Sequence, residues 1–200
     1  MRGLLMLLVA TILLAIPSLS ANPSGIGQEA NNGCLCHGIL DESTTVGIEG
    51  LPERWQANTN YPLNISVVND GISVEEKNSG GFRLTVSTGN ITYDETEVQF
   101  LDSGYTHTAN GNSQRSWQVN WTSPSDATKT AHFTIHGNAV NGDDSNNGDA
   151  WSSQEYSVAG IDASEVEERP ISIDLSEAII LGVIFVAIAF LFKMMYSSTE

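Results

Sequence analysis

Strict alternation of apolar and polar residues in short stretches most restricts what this chain can fold into. In the stretch Tyr61 to Val68, Leu63, Ile65 and Val67 alternate with polar neighbours. A period of two residues places successive side chains on opposite faces, as in a half-buried β-strand. The same pattern or a shorter strand-like run recurs at residues 44–48, 81–86, 90–93, 98–101, 116–122, 131–139 and 155–158.

Turn signals separate these stretches, and no helical periodicity interrupts them. Gly50-Leu51-Pro52 breaks the chain after the first stretch, and Asn69-Asp70-Gly71 follows the second. Seven or eight short strands with regular turns predict an all-β fold, an antiparallel β-sandwich.

Both ends of the chain are apolar. Residues 1–21 have a positive start, a short apolar run and small residues before a cleavage point, which predicts a signal peptide. Ala178 to Phe192 contains no charged residue, and Lys193 follows it. Ala178 to Tyr196 as a helix would be about 28 Å long, close to the hydrocarbon thickness of a bilayer. We therefore predict one C-terminal transmembrane helix, a single-pass cell-membrane location and an extracytoplasmic body.

These features divide the chain into six segments. The signal peptide (1–21) precedes a flexible lead-in with a cysteine motif (22–42) and the β-sandwich domain (43–160). An acidic stalk (161–175), the transmembrane helix (176–196) and a cytoplasmic tail (197–200) follow.

The chain is strongly acidic, with 24 Asp and Glu against 8 Lys and Arg and a net charge of −16. Repulsion from phosphates opposes binding to nucleic acid or to an anionic membrane surface. We expect no nucleic-acid partner. No nucleophilic triad, carboxylate pair or phosphate loop is evident, and we expect no enzyme activity.

The two cysteines lie in the segment Asn32-Gly33-Cys34-Leu35-Cys36-His37-Gly38. C-x-x-C-H attaches c-type haem, and here one spacer residue is missing. Haem attachment through Cys36, with or without Cys34, would keep His37 in its usual relation to the second cysteine. Zinc or copper bound by these three residues and a further histidine is an alternative, and a strained Cys34–Cys36 disulfide is another.

The body contains no methionine, which excludes a His/Met cytochrome. The remaining candidates for a second ligand are His107, His132 and His136. His132 and His136 fall on the polar side of their strand and are expected to be surface histidines.

Two further patterns concern oxygen ligands and glycans. Residues 141–149 partly imitate a calcium loop, and a polar hairpin turn is the alternative. The calcium candidates are Asp143, Ser145, Asn147 and Asp149. N-glycosylation acceptor motifs begin at Asn64, Asn90 and Asn120.

The ordered motifs of residues 25–160 resemble the prokaryotic reelin-like (Reeler, choice-of-anchor V) extracytoplasmic domains. The matching segments are the Cys-Cys-His motif, Gly50-Leu51-Pro52, Gly81 to Thr85, Thr106-His107-Thr108, Trp117 to Pro124 and Gly137 to Gly142.

The resemblance implies an immunoglobulin-like sandwich with a haem-c-like site. Cys34, Cys36 and His37 correspond to the family's Cys, Cys and His, and His107 to its Thr-His-Thr histidine. We expect His37 and His107 to bind the haem iron, for electron transfer or redox sensing with an unknown partner. The alternative is a cell-surface binding or adhesion module with a structural, zinc-binding or copper-binding Cys-His loop.

Overall fold

The computed structural model describes residues 22–34, 40–73, 77–143, 145–169 and 175–196. Contacts divide the chain after Glu167 into two units. The first contains ten strands among its described residues. They are β1 (Thr45–Glu49), β2 (Arg54–Trp55), β3 (Asn60–Val68), β4 (Gly80–Val86), β5 (Asn90–Tyr93), β6 (Val98–Leu101), β7 (Gly104–His107), β8 (Ser116–Thr122), β9 (Thr130–Ala139) and β10 (Ala150–Gly160).

The ten strands form two sheets. One sheet has the order β1-β3-β8-β5, and the other has the order β2-β10-β9-β4-β7-β6. All strand pairs are antiparallel except the short β2–β10 pair. The predicted all-β sandwich is therefore confirmed.

The core lies between the sheets and consists of the inward residues of the alternating stretches. Trp55, Trp117 and Trp121 are fully buried, and each indole N–H donates to a backbone carbonyl at 2.8–3.0 Å. Those bonds satisfy the one polar atom that each ring brings into the core. Gly137 of β9 marks a close approach, because a Cβ there would lie 2.6 Å from side-chain atoms of Val46 and Val67.

Strand β10 is longer than the predicted run 155–158, and β2 and β7 were not anticipated. His107, for which the sequence predicts no strand, is the last residue of β7. Its strand was missed because Gly104-Tyr105-Thr106-His107 lacks an apolar alternation.

The second unit contains one described element, helix α1 (Leu175–Tyr196) of 22 residues. All its described side chains are exposed, and all of them are apolar except that of Lys193. Among the residues that the structure describes, no helix has the length and apolar character needed to cross a membrane. The predicted signal peptide (1–21) lies outside the described residues.

Candidate cofactor site at the N-terminal loop

The segment before β1 crosses the outer face of the six-stranded sheet. Residues 22–34, predicted as a flexible lead-in, contain a 3-10 turn at Gln28–Ala30 and five buried residues. The backbone N–H of Ile26 donates to Oγ1 of Thr106 on β7 at 3.2 Å. Asn31 forms hydrogen bonds with Arg83 of β4 and His136 of β9. The lead-in is therefore a packed layer on the sheet.

Arg83 of β4 fastens this layer, although it occupies an outward position. Its side chain is fully buried. Nε donates to Oδ1 of Asn31 at 2.9 Å and Nη1 to the carbonyl of Ile26 at 3.4 Å. The same guanidinium donates to the carbonyls of Leu101 at 2.6 Å and Asp102 at 2.7 Å.

Burial lowers the pKa of Arg83 below its ordinary value, and the nearby carboxylates of Asp102 and Glu29 oppose that shift. A guanidinium stays charged at neutral pH. Its charge is thus balanced mainly by carbonyl oxygens, on the lead-in and on the β6–β7 turn.

His136 of β9 lies beneath the lead-in, and the expectation of a surface histidine is wrong. It is 6% exposed. Its Nε2 lies 3.0 Å from the carbonyl oxygen of Asn31, and its Nδ1 lies 2.8 Å from Oγ of Ser153. Because a carbonyl only accepts, Nε2 carries the proton. Alternation predicted correctly that His136 points away from the core, but the covering segment has no periodicity that would reveal it. His132 is half-buried, and its Nδ1 lies 2.9 Å from Oγ of Ser157.

Trp151 of β10 contacts the chain both before and after the cysteine loop. A Cβ at Gly33 would lie 2.3 Å from the Trp151 ring, and Gly33 has φ +120°, so a glycine is required there. After the loop, Leu40 forms a parallel bridge with Trp151, and the Asp41 N–H donates to the Trp151 carbonyl at 3.0 Å. The described residues before and after the loop, Gly33 and Leu40, therefore both lie against Trp151.

Of the motif residues, Cys34 is described and is 4% exposed. Cys36 and His37 lie outside the described residues. Cys34 follows Gly33 directly and so enters the loop beside Trp151. The two cysteines and His37 therefore belong to a segment whose described ends, Gly33 and Leu40, both lie against Trp151.

His107 is buried, with 5% of its surface exposed. The backbone N–H of Phe82 donates to its Nδ1 at 3.2 Å, and Oγ1 of Thr106 donates to the Phe82 carbonyl at 2.8 Å. Gly81 allows the imidazole to lie flat, because a Cβ there would meet the ring at 2.4 Å. The His107 ring and the Thr106 hydroxyl therefore bond to the backbone N–H and carbonyl of Phe82, in place of backbone groups of β7.

That hydrogen bond bears on the expected ligand role of His107. An imidazole whose Nδ1 accepts a hydrogen bond carries its proton on Nε2 in the neutral form. Nε2 then has no lone pair to give to a metal. The lone pair of Nδ1 already accepts the hydrogen bond from the Phe82 N–H. In this arrangement His107 satisfies a backbone N–H and does not fit a ligand of iron.

Across the described residues, no three His, Cys, Asp or Glu side chains come together in a way that could hold a metal ion. The candidate donors that the sequence offers for a cofactor remain Cys34, Cys36 and His37. Two thiols and one imidazole fit either covalent haem attachment or a soft metal ion. Sequence reasoning missed the three buried residues that contact the described chain on either side of the loop: Arg83, His136 and Trp151.

The loop expected to bind calcium joins β9 to β10. The side-chain oxygens of Asn141, Asp143 and Ser145 each accept the backbone N–H two residues on, at 2.8–3.1 Å. The buried Asp149 accepts the N–H of Asn141 at 3.1 Å, and the carbonyl of Asn147 accepts from the Asn141 amide. These bonds are those of a polar hairpin turn. Calcium binding here stays a prediction.

The three candidate glycosylation sites share the outer face of the four-stranded sheet. Asn90 and Asn120 are exposed, and Asn64 is half-buried.

No protein-family model matches the chain, and no curated protein matches it. Similar solved structures include the Reelin-N domain of F-spondin, 18% identical over 62% of this chain and 92% of that one, with a TM-score of 0.43. A human F-spondin reeler domain is 16% identical over 62% and 96%, with a TM-score of 0.41. A conjugative transposon lipoprotein from Bacteroides eggerthii DSM 20697 is 11% identical over 59% and 98%, with a TM-score of 0.39.

Reeler domains are thus among the solved structures that this chain is similar to. Identities and TM-scores in this range transfer no residue role and no activity. Membership of the reelin-like family stays a prediction.

Proposed function

We propose that the chain is an extracytoplasmic β-sandwich protein whose cysteine loop binds one c-type haem for redox sensing. One observation carries the proposal: the loop leaves and rejoins the sheet at Trp151, next to the buried His136 and Arg83. A site that must hold a cofactor in one geometry needs ligands on a supported segment. A trailing N-terminal tail would not provide that support.

The residues have separate roles in this proposal. Cys36, with or without Cys34, would hold the haem covalently, and His37 would bind its iron. Bound haem would supply one-electron chemistry. Because His107 and His136 each carry their proton on Nε2, we assign neither of them to iron. With His37 as the one protein residue bound to iron, the group would be able to take up a small ligand, which suits sensing.

Visible spectroscopy with a pyridine haemochrome assay tests the proposal on the full chain made in a host that matures c-type haem. We expect a c-type α-band that His37→Ala abolishes and that His107→Ala leaves with an unchanged spin state. A change of spin state in the second variant would restore His107 as a ligand. A colourless protein would refute the haem, and metal analysis would then separate zinc or copper binding from a metal-free adhesion module.

We also propose that the C-terminal apolar segment anchors the protein in a membrane. The support comes from the sequence alone: Ala178 to Phe192 carries no charge, and Ala178 to Tyr196 as a helix would extend about 28 Å at 1.5 Å per residue. Cell fractionation tests this placement. Sedimentation with membranes that resists carbonate and yields to detergent is expected, and release by carbonate would contradict it.

A further inference from the structure

The outer face of the four-stranded sheet is polar but uncharged across three of its strands. No outward residue of β3, β5 or β8 carries a charge. These strands pair side by side over Asn60 to Ser66, Asn90 to Thr92 and Ser116 to Thr122. The chain carries 24 acidic residues, yet none lies on the outward side of these three strands. The fourth strand, β1, ends with the exposed Glu49. The polar groups that this part of the surface offers to water are hydroxyls and amides.

Two of the Asn-x-Thr motifs are cross-strand partners on this face. Asn90 of β5 pairs with Thr122 of β8, and Thr92 pairs with Asn120. The middle residues, Ile91 and Trp121, point into the core. Each asparagine and the hydroxyl two residues later therefore lie on the same exposed side, and the two asparagines are diagonal neighbours about 7–8 Å apart.

The three asparagine amides differ in availability. Oδ1 of Asn64 accepts hydrogen bonds from Ser116 at 2.7 Å and from Gln118 at 2.8 Å. Asn90 and Asn120 are exposed, and neither side chain has a hydrogen-bond partner within the described ranges. An asparagine that will carry a glycan must be reachable, and its amide group must be able to turn away from the sheet. The two hydrogen bonds to Oδ1 hold the amide of Asn64 on the sheet surface.

We propose that Asn90 and Asn120 carry N-linked glycans and that Asn64 does not. Nδ2 of the asparagine forms a bond to C1 of the sugar, while the bond from C1 to the phosphate of a lipid-linked oligosaccharide breaks. The lipid phosphate leaves with the electron pair, and one amide proton passes to a base. The transfer requires the cell's own membrane-bound glycosyltransferase and its lipid-linked donor. The inference depends on the extracytoplasmic placement under Proposed function and is independent of haem.

Glycans at these positions would protect a vulnerable part of the fold. Strand β5 is an edge of its sheet and has four residues. An open edge invites pairing with another chain, and native proteins block such edges. A sugar on Asn90 and another on the neighbouring strand would cover both the edge and the uncharged face beside it.

Glycopeptide mapping tests the inference on the full chain recovered from membranes of the cells that make it. Thr92→Ala and Thr122→Ala should each remove one glycan mass, whereas Thr92→Ser and Thr122→Ser keep the acceptor motif and should retain it. Ser66→Ala, which destroys the Asn64 motif, should leave the mass unchanged.

The outcomes also separate this inference from the function on which it depends. Unmodified Asn90 and Asn120 in a protein that has lost its signal peptide would overturn the glycan proposal alone. A cytoplasmic precursor with the signal retained and no glycan would overturn both. Modification of Asn64 would refute the argument from hydrogen bonding.

Discussion

At the scale of single residues, buried polar side chains decide how the lead-in is held. Arg83 and Arg115 are both buried arginines that donate to backbone carbonyls, but they fasten different segments. Arg83 reaches the lead-in through Ile26 and Asn31. Arg115 donates to the carbonyls of Ser79, Ile72, Ser73 and Val140, at the other end of β4.

We predict that Arg83→Lys lowers the free energy of unfolding by about 2–4 kcal/mol, because lysine has no planar fork to reach four acceptors. The lead-in should also loosen, which hydrogen exchange at the amides of Ile26 and Gly33 would detect. Arg115→Lys is the matched control: a comparable loss of stability is expected, with those two amides still protected. Equal exchange in both variants would contradict the role of Arg83.

His107 is the second residue for which the structure changes the expectation. We predict that His107→Ala destabilises the fold by about 1–3 kcal/mol, because the buried N–H of Phe82 loses its acceptor. His132→Ala should cost about 0.5 kcal/mol or less, since His132 is only half-buried. Urea unfolding of both variants measures the difference. Equal costs would mean that the bond to Phe82 contributes nothing.

At the scale of elements, one short motif closes three turns. Asp41, Asp94 and Asp126 are each followed two residues later by Ser or Thr. In each case the carboxylate accepts both the backbone N–H and the hydroxyl of that residue, at 2.6–3.1 Å. These bonds favour the charged form and lower the pKa of all three groups below 3.8.

The sign of the resulting pH dependence follows from those shifts. A carboxylate with a lowered pKa in the folded state contributes stability above the unfolded value of 3.8. That contribution disappears as the pH falls through the lower, folded value.

We therefore predict that the wild type loses more stability between pH 5 and pH 2 than Asp41→Asn/Asp94→Asn/Asp126→Asn. Urea unfolding at several pH values measures both proteins, and their difference removes the effect of the other carboxylates. Parallel curves would show that the three turns do not respond to pH.

At the scale of the whole molecule, the sequence predicted the core better than the surface. Alternation placed Leu63, Ile65 and Val67 inward, and all three are buried between the sheets. This works because each strand needs one apolar face whatever its partners are. Strand order and register were not predicted, because they depend on contacts distant in sequence.

The surface layer could not be predicted, for a physical reason. His136 and Arg83 occupy outward positions that alternation assigns to solvent, yet a segment with no regular pattern covers both. The Cys-His motif was visible in the sequence, while its support by Trp151 was not. The hydrogen bond that occupies His107 depends on the local end of the β4–β7 pairing, which no spacing rule describes.

The division of the chain after Glu167 leads to the last prediction. The strands and their core all belong to the first unit, so a chain of residues 22–169 should fold without α1. Contacts that follow β10 must be retained: Arg54 donates to the carbonyls of Ile161 and Ala163, and the Ile161 N–H donates to the Trp55 carbonyl. We expect residues 22–169 to show the near-UV circular dichroism of the full chain and the same urea midpoint.

Residues 22–160 provide the matched control, because that chain ends with β10 and lacks those contacts. Its urea midpoint should be lower, since the guanidinium of Arg54 and the carbonyl of Trp55 lose their partners at the end of the six-stranded sheet. An unfolded 22–169 chain would show that the sandwich depends on residues 1–21 or on residues beyond Arg169. Equal midpoints for the two shortened chains would show that the segment after β10 adds nothing to the stability of the fold.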